Sequence, residues 1–221
     1  MIAIISDIHG NFEALKSVLN DIDNLGVKEI YCLGDVVGYY PQVNECCTEL
    51  IKRNIHTLIG NHDWYLISGT RSKRSKSADL CLDFQSKIIN KQSLDWLKSN
   101  RLLIVLDKLC MVHGGWKNPI DEYLFNIENS YFDKIPFDFF VSGHTHIPVL
   151  GCFNGKKYCN PGSVGQPRDD DYRASYAIFD GNDFTINRVD YDVEKICQIS
   201  KMNGYDEYLY NRLRYGYRNF K

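Results

Sequence analysis

The sequence predicts an α/β (α+β) fold in which parallel or mixed β-sheet is covered by helices. Three short apolar runs near the amino terminus have the length and composition of buried strands. Two segments with apolar residues at helical spacing separate them, which gives a β-α-β-α-β order. Strands in that order favour a parallel or mixed sheet with the helices packed on it. Later apolar runs are paired around Gly-containing turns, which indicates hairpins.

The first half of the chain contains the alternating elements. Asn11 lies near the start of the first predicted helix and Gly26 at its end, as expected for capping positions. Pro41 falls in the first turn of the second helix, where a missing N–H is tolerated. The predicted strands are 2–5, 29–33 and 55–59, and the predicted helices are 11–25 and 41–53.

The second half predicts one long helical region and a series of paired strands. Residues 77–97 are expected to be helical with breaks, and the tyrosine-rich segment from residue 193 onward is also expected to be helical. Asn154-Gly155 and Gly181-Asn182 mark the tips of two hairpins. The predicted strands are 101–106 with 109–112, then 137–142, the hairpin 149–159, and the hairpin 174–179 with 184–189.

The composition bounds the class of protein. A chain of 221 residues has the length of one domain, so residues 1–221 are expected to form a single domain. The net charge of −2 gives no global field for nucleic acid or an anionic membrane, and no apolar run approaches the ~18 residues of a membrane span. A strand that begins almost at Met1 leaves no room for a signal peptide. Eight cysteines without a C-x-x-C pair indicate free, mostly buried thiols and a cytoplasmic location.

Five of the six histidines occur in short motifs, and each motif follows a predicted strand. Because ligands bind outside the carboxyl ends of strands in open α/β sheets, these segments are expected to converge at one edge. Two Asp, one Asn and five His brought together form a ligand set for two metal ions. His56 lies outside the motifs and is predicted to be an ordinary strand residue. The motifs are Asp7-Ile8-His9, Gly34-Asp35, Gly60-Asn61-His62-Asp63, His113-Gly114 and Gly143-His144-Thr145-His146.

The motif order D-x-H, G-D, G-N-H-[DE], H-G and G-H-x-H resembles that of the calcineurin-like metallophosphoesterase superfamily. The match covers positions 7 to 146, and five short patterns in this order are very specific together. The run Ser-Asp-Ile-His-Gly-Asn at 6–11 and the run Asn-Pro-Gly-Ser-Val-Gly-Gln-Pro-Arg at 160–168 are similar to those of the small bacterial and archaeal phosphodiesterase branch. The resemblance implies a four-layer αββα sandwich of two mixed sheets flanked by helices.

The resemblance also implies a role for each motif residue. Asp7, His9 and His146 would hold one divalent ion. Asn61, His113 and His144 would hold the other, and Asp35 would bridge both, since a carboxylate has two oxygens and a neutral imidazole makes one bond. The mixed N/O ligands favour Mn²⁺, with Fe, Zn²⁺ or Ni²⁺ as alternatives. A hydroxide between the metals would attack phosphorus, while His62 would contact a phosphate oxygen and assist the leaving group.

The chain departs from one part of the superfamily pattern. Protein phosphatases typically have G-D-x-x-D-R at the second motif, whereas Gly34-Asp35 is followed here by Val-Val-Gly-Tyr-Tyr. The missing Arg argues against assignment as a Ser/Thr protein phosphatase. It also argues against assignment to the symmetrical dinucleoside tetraphosphatase branch. Other cations must therefore bind substrate phosphate. Arg168 is one, unless it pairs with the Asp run 169–171, and Lys117 is another, unless it is a solvated loop residue.

Several features leave alternatives open. Asp63 either orients His62 or caps the helix after it. The basic run 71–76 either guides a polyanionic substrate or forms a solvated loop. The carboxy-terminal tail either packs on the domain or forms a dimer contact or a lid; its aromatic and basic residues are Tyr205, Tyr208, Tyr210, Tyr215, Tyr217, Arg212, Arg214 and Arg218.

The function that follows is a dinuclear metal-dependent phosphodiesterase acting on small nucleotide-type substrates. Asp35 and His62 are the expected catalytic residues, and Asn61, His62, Arg168 and Lys117 the expected substrate contacts. The alternatives are a dinucleoside polyphosphate hydrolase, a phosphomonoesterase that includes protein phosphatases, and, from another class, a non-catalytic metal-binding scaffold. The partner is a small phosphorylated molecule. No membrane or specific nucleic-acid partner is expected, and the chain is a monomer or a homodimer.

Overall fold

The computed structural model describes residues 1–72 and 75–216, in which ten strands form two sheets accompanied by seven helices. The strands are β1 (Ile2–Ile5), β2 (Ile30–Cys32), β3 (His56–Thr57), β4 (Ile104–Leu106), β5 (Leu109–Met111), β6 (Phe139–Val141), β7 (Pro148–Phe153), β8 (Lys156–Pro161), β9 (Ala174–Phe179) and β10 (Phe184–Val189). The helices are α1 (Phe12–Asn24), α2 (Val43–Lys52), α3 (Asn61–Ser68), α4 (Lys76–Ile88), α5 (Lys91–Lys98), α6 (Val193–Met202) and α7 (Glu207–Tyr210), followed by a 3₁₀ helix, Asn211–Arg214.

Both sheets have five strands and both are mixed. The first has the order β10-β9-β1-β2-β3, in which β1, β2 and β3 are parallel and β9 is antiparallel to β1 and β10. The second has the order β4-β5-β6-β8-β7, in which β5, β6 and β8 are parallel and the two edge strands are antiparallel to their neighbours. The α/β prediction with two mixed sheets and flanking helices is confirmed.

The alternation of side chains along β1 shows how the layers are arranged. Ala3 and Ile5 are buried in a core that includes apolar residues of α1, α2 and α6. Ile4 points to the opposite face, where it is buried with residues of the second sheet such as Met111 and Val141. Successive strand residues face opposite sides of a sheet, so β1 contributes side chains both to the core beneath the helices and to the core between the two sheets.

The outer face of the second sheet is covered by the long segment between β5 and β6. Phe132 of this segment is fully buried against Phe140 of β6 and Tyr158 of β8. The Trp116 ring packs edge-on against Phe140, with ring centroids 5.0 Å apart. Aromatic rings bury large areas, so this segment needs no regular helix to cover the sheet.

Some element boundaries differ from the prediction. Residues 77–97, predicted to be helical with breaks, form α4 and α5, and the break lies where Asn90 starts α5 as its N-cap and accepts a hydrogen bond from the Ser93 N–H at 2.8 Å. Pro41 lies outside α2, whose N-cap is Gln42. A helix that was not placed in the sequence, α3, begins directly at Asn61. Strands 101–106 and 55–59 are shorter, at Ile104–Leu106 and His56–Thr57.

The carboxy-terminal tail packs on the helix layer up to residue 216. Tyr205, Leu209, Tyr210 and Leu213 are buried in the same core as α1 and α2. Of the two interpretations of this segment, packing on the domain is therefore correct for these residues. Tyr217 and Arg218, which the sequence analysis also included, lie outside the described residues.

The remaining bulk predictions concern cysteines and membrane spans. All eight cysteines are free and seven of them are buried, as predicted. Within the two described ranges, no helix has the length and apolar character that crossing a bilayer requires.

Candidate metal centre

The loops that follow β1, β2 and β6 carry five motif residues in the left-handed region of backbone conformation. Asp7 and His9 have φ of 55° and 53°, and Asp35 has φ of 53°. His144 and His146 have φ of 68° and 61°. Such residues cost of order 1–3 kcal/mol each and cluster where function holds them. All five residues lie in loops that directly follow strands of the two sheets.

Hydrogen bonds between the first two loops hold this conformation. The parallel pairing of β1 with β2 continues past the strand ends, because the Asp7 N–H donates to the Gly34 carbonyl at 3.0 Å and the His9 N–H to the Asp35 carbonyl at 2.9 Å. Gly60 supplies the close approach: a Cβ there would lie 2.1 Å from Oδ1 of Asp35. A glycine is therefore required at this motif position.

Asp7, His9 and His146 form one group of ligand atoms. Nε2 of His146 lies 3.4 Å from Oδ1 of Asp7 and 3.0 Å from Nε2 of His9. Nε2 of His9 lies 3.9 Å from the same Asp7 oxygen. All three side chains are buried, and their ligand atoms fit within the span of a single ion.

Asp35, His113 and His144 form a second group, with Asn61 beside it. Nε2 of His113 lies 3.5 Å from Oδ2 of Asp35 and 3.1 Å from Oδ1 of Asn61. Oδ2 of Asp35 is also 3.7 Å from Nε2 of His9, which belongs to the first group. Asp35 therefore stands between the two groups, and the structure brings all seven sequence-derived ligand positions together.

Several buried polar atoms of this cluster have no hydrogen-bond partner, which suits a cation site. Oδ2 of Asp7 accepts the His144 N–H and Oδ1 of Asp35 accepts the His62 N–H, whereas the other oxygen of each carboxylate is buried without a hydrogen-bond partner. Nε2 of His144 is also buried without one. Buried polar atoms left unpaired are rare and need an explanation such as a bound ion.

The outer nitrogens of three histidines are held by backbone carbonyls. Nδ1 of His9 lies 2.9 Å from the Val37 carbonyl, Nδ1 of His113 lies 3.1 Å from that of Leu33, and Nδ1 of His146 lies 2.6 Å from that of Gln166. A carbonyl oxygen only accepts, so each Nδ1 carries a proton, and Nε2 of each ring that is neutral offers its lone pair to the cluster. This arrangement of outer contacts is typical of metal-binding histidines.

The charges of the cluster are strongly coupled. Burial raises the pKa of Asp7 to about 6, and burial lowers the pKa values of His9, His144 and His146 well below the usual range, so these rings are neutral. Burial opposes ionisation of Asp35 as well, but His113, His62 and His9 together outweigh it and lower the pKa of Asp35. His113 is the positively charged partner of Asp35. Burial disfavours its protonated form, yet the Asp35 carboxylate raises its pKa to about 9. The cluster thus holds excess negative charge, which one protonated ring partly balances.

His62 and Asp63 lie at the start of α3 and differ in role. The His62 ring packs edge-on against His9 with centroids 4.9 Å apart, and its Nδ1 is buried without a hydrogen-bond partner. Asp63 accepts the backbone N–H groups of Asp35, Val37 and Gly60 at 2.8, 3.0 and 3.0 Å. Asp63 therefore caps the helix and ties the loops together. It makes no hydrogen bond to His62.

The two sequence-derived phosphate contacts are placed differently. Arg168 donates to Oε1 of Gln166 and to the Tyr39 hydroxyl, and its charge helps to lower the pKa values of His9, His62, His144 and His146. The neighbouring acidic run pairs elsewhere, since Asp169 binds Arg188 and Asp171 binds Arg173. Lys117 instead lies over the Tyr131 ring at 5.0 Å, and the structure does not bring it to the ligand cluster.

Other predicted positions lie away from the cluster. His56 is exposed and stacks on Tyr31. In the basic run, Arg71 pairs with Asp83, and Lys73 and Arg74 fall outside the described residues.

Three aromatic residues and one carboxylate beside the cluster were missed by the sequence reasoning. The Tyr39 ring lies 4.8 Å from His9 and 4.9 Å from His62. The Tyr123 ring lies 3.8 Å from His144 and stacks on Phe125 at 5.3 Å, and Oδ1 of Asp121 is 3.6 Å from Nε2 of His144. Tyr39 follows the second motif and the others follow the fourth, but no residue pattern distinguishes them from ordinary loop residues.

Comparison with known proteins assigns the fold and the motifs to a family. Residues 1–183 match the family described as a calcineurin-like phosphoesterase superfamily domain. The chain belongs to this superfamily. It is 40% identical to an uncharacterized protein of Methanocaldococcus jannaschii, over 98% of each chain. The crystal structure of a metallophosphoesterase from Sphaerobacter thermophilus is 32% identical and superimposes with a TM-score of 0.87, covering 97% of this chain and 98% of that one.

A more distant similarity concerns one class of enzyme in the family. A symmetrical bis(5'-nucleosyl)-tetraphosphatase of Neisseria meningitidis is 30% identical over 115 residues, which cover 50% of this chain and 42% of that one. Membership of the superfamily makes this calcineurin-like phosphoesterase a phosphoric ester hydrolase and implies divalent metal ions, for which the cluster supplies the ligands.

Replacing Asp35 with Asn should remove divalent ions from this phosphoesterase. The amide keeps an oxygen for the His62 N–H but loses the negative charge between the two groups. We expect the affinity for Mn²⁺ to fall at least about 100-fold, measured by metal analysis after equilibrium dialysis. Asp23→Asn, an exposed carboxylate that pairs with Arg53, is the matched control and should retain wild-type metal content. Equal metal content in both variants would contradict the assignment of Asp35.

The affinity for metal should rise with pH between about 5 and 8. Metal binding displaces the proton of His113, whose pKa is raised to about 9, and below pH 6 it also displaces that of Asp7, whose pKa is raised to about 6. Each displaced proton weakens binding about tenfold per pH unit of acidification. Calorimetric titration with Mn²⁺ in two buffers of different ionisation enthalpy counts the protons released. An affinity that does not change with pH would show that these groups are not ligands.

Proposed function

We propose that the protein is a dinuclear metal-dependent phosphodiesterase that acts on small nucleotide-type substrates. The observation that carries the proposal is that Asp7, Asp35 and His144, which belong to the two groups of ligand atoms, each have a buried polar atom without a hydrogen-bond partner. Next to these groups lie an unpartnered imidazole, His62, and a guanidinium, Arg168. Ligand atoms, a proton carrier and an anion-binding cation together are the groups that phosphoryl transfer needs.

Seven side chains are assigned to two ions, one on each side of Asp35. Asp7, His9 and His146 would hold the first, Asn61, His113 and His144 would hold the second, and Asp35 would serve both. The chemistry that the ions supply when bound is charge neutralisation at phosphorus and a lowered pKa for water. The N/O donor set suits Mn²⁺ first, with Fe, Zn²⁺ or Ni²⁺ as alternatives.

His62 acts on the leaving group. Burial lowers its pKa, so the ring is neutral before substrate arrives, and the approach of an anionic phosphate favours its protonated form. Its Nδ1 has no protein partner, and the ring is held by contacts with His9 and Tyr39. A positioned imidazole of this kind donates a hydrogen bond or a proton to a departing oxygen.

Arg168 supplies the positive charge that the missing Arg of the second motif would have provided. Its guanidinium donates only to neutral oxygens, those of Gln166 and Tyr39. A guanidinium with free donors binds phosphate in a two-pronged geometry. Lys117 is not retained as a substrate contact, because its side chain lies on Tyr131.

The aromatic pair beside His144 supports a nucleotide-type substrate. Tyr123 and Phe125 stack with their planes 8° apart, and 37% and 45% of their surfaces are exposed. Nucleobases stack on such rings with little dependence on sequence. The buried His144 is thus continuous with an apolar surface suited to the leaving nucleoside.

A dinucleoside polyphosphate hydrolase is the second candidate. The similarity to the tetraphosphatase of Neisseria meningitidis favours it, although that match covers less than half of the enzyme. A phosphomonoesterase, including a protein phosphatase, has no specific observation in its favour. A non-catalytic scaffold is disfavoured, because a structural role does not require an unpartnered His62 beside the ligands. The free, mostly buried thiols support a reducing compartment such as the cytoplasm.

The direct test is hydrolysis of bis-p-nitrophenyl phosphate compared with p-nitrophenyl phosphate by protein stripped of metal and reloaded with Mn²⁺. We expect the diester to be cleaved with the higher kcat/KM, and Asp35→Asn to abolish the activity. Cleavage of the monoester alone would replace the diesterase by a phosphatase. If neither ester is cleaved although metal is bound, dinucleoside polyphosphates are tested next, and a negative result with these as well would leave the scaffold.

Substituting His62 with Ala should separate metal binding from turnover. We expect metal content to stay at the wild-type level and kcat for the diester to fall by roughly 10²–10⁴-fold. His56→Ala, which removes an exposed histidine of β3, is the control and should keep full activity. Undiminished turnover in His62→Ala would remove this residue from the mechanism.

A further inference from the structure

Tyr39 forms a fixed wall at the edge of the metal centre. It has φ of 55°, a conformation that a tyrosine adopts only when its surroundings impose it. Its neighbours are fixed by the buried Gln85 of α4, which accepts the Gly38 N–H at 2.7 Å and donates to the Tyr40 carbonyl at 2.6 Å. Because the loop is held on both sides of Tyr39, the ring keeps its place beside His9 and His62.

Two arginines from distant parts of the chain lie against this one ring. The guanidinium carbon of Arg168 is 5.6 Å from the Tyr39 ring centroid, and that of Arg212 is 5.5 Å from it. Arg168 follows the loop after β8, whereas Arg212 belongs to the 3₁₀ helix Asn211–Arg214, beyond the last residue of the family match. Buried Leu209 and Leu213 pack this segment on the core, and this packing fixes the backbone of Arg212 beside Tyr39.

Neither guanidinium has an acidic partner in the part of the chain that the structure describes. Arg168 donates to Gln166 and Tyr39, and Arg212 donates to the Leu209 carbonyl. Other arginines of the same region are paired: Arg173 with Asp171, Arg188 with Asp169, and Arg214 with Glu194. Two partly buried cations without a counter-ion repel each other, and a bound anion removes that cost.

We propose that Arg212 and Tyr39 form a binding site for a second phosphate group, with Arg168 lying between this group and the phosphate held at the metal centre and serving both. The substrates of this site carry two or more linked phosphates, as dinucleoside polyphosphates do, in contrast to simple diesters with one phosphorus. The Tyr39 ring contacts His9 and His62, its hydroxyl accepts a hydrogen bond from Arg168, and Arg212 lies over the same ring. The two guanidinium groups therefore adjoin the metal centre through Tyr39. This inference rests on the proposed phosphoesterase function and specifies its substrate class.

The test compares Arg212→Gln with Arg214→Gln, a matched control on the same 3₁₀ helix whose partner is Glu194. KM and kcat are measured with Mn²⁺-loaded enzyme for diadenosine tetraphosphate and for bis-p-nitrophenyl phosphate. Losing a charged hydrogen-bond donor to phosphate should raise KM for the tetraphosphate about 10- to 100-fold. KM for the one-phosphorus diester should not change, and Arg214→Gln should resemble the wild type with both substrates.

A binding measurement keeps the inference testable whatever the wild type hydrolyses. A methylene-bridged analogue of diadenosine tetraphosphate is titrated calorimetrically into wild-type, Arg212→Gln and Arg212→Lys proteins. We expect the Gln variant to bind it at least about tenfold more weakly and the Lys variant to be intermediate, because lysine keeps the charge without the planar fork. If the Gln variant does not fold, the comparison of the Lys variant with the wild type still tests the inference.

The outcomes separate this inference from the proposed function. If the diester is hydrolysed and Arg212→Gln has the wild-type KM for each of the two substrates, the second phosphate site is overturned and the phosphodiesterase proposal stands. A parallel rise of KM for both substrates would show that Arg212 merely supports the fold, and would also overturn it. Absence of all hydrolysis, combined with weaker analogue binding by Arg212→Gln, would overturn the proposed catalysis but support the site.

Discussion

Asp7 and Asp35 are buried side by side, and most of the local structure follows from keeping these two carboxylates together. Each uses one oxygen to accept a backbone N–H, from His144 and His62 respectively, and leaves the other facing the cluster. The negative charge of Asp35 raises the pKa of Asp7 further after burial has raised it. The repulsion has to be balanced by positive charge, which the His113 ring supplies in part and which divalent ions would complete.

The glycines of the motifs serve this same constraint. A Cβ at Gly143 would lie 2.0 Å from the Ser6 hydroxyl and 2.7 Å from Oδ2 of Asp7, and a Cβ at Gly60 would touch Asp35. Each therefore lets one loop approach a carboxylate on another. The left-handed residues have the complementary effect, since they turn the chain sharply at the end of a strand in the loops that carry the ligand side chains. The motif spacing is thus a consequence of backbone geometry as much as of ligand chemistry.

The strands, the first two helices and the seven ligand positions were predictable because each depends on a local pattern. Apolar runs specify buried strands, and polar motifs directly after them fall at one sheet edge. A helix capped by Asp63 was one of the alternatives, but its start at Asn61 was not predicted, because Asp63 lies inside the helix and reaches back to the Gly60 N–H. Arg212 and Tyr39 were also beyond prediction. Their meeting depends on how the tail docks on the core, and that packing leaves no periodic signal in the sequence.

The ligand cluster is assembled from both sheets. Asp7 and Asp35 follow strands of the first sheet, whereas His113, His144 and His146 follow strands of the second. The hydrogen bond from the His144 N–H to Asp7 joins residues 137 positions apart. Closing such a long loop loses much chain entropy before any contact compensates for it, so contacts of this kind form late in folding. The site therefore comes into existence only when the two sheets dock, and a chain that has folded one sheet alone presents half a ligand set. Cations that need the complete cluster then bind the folded state and not its precursors. Ion binding therefore stabilises only the fully folded chain and can be used to detect it.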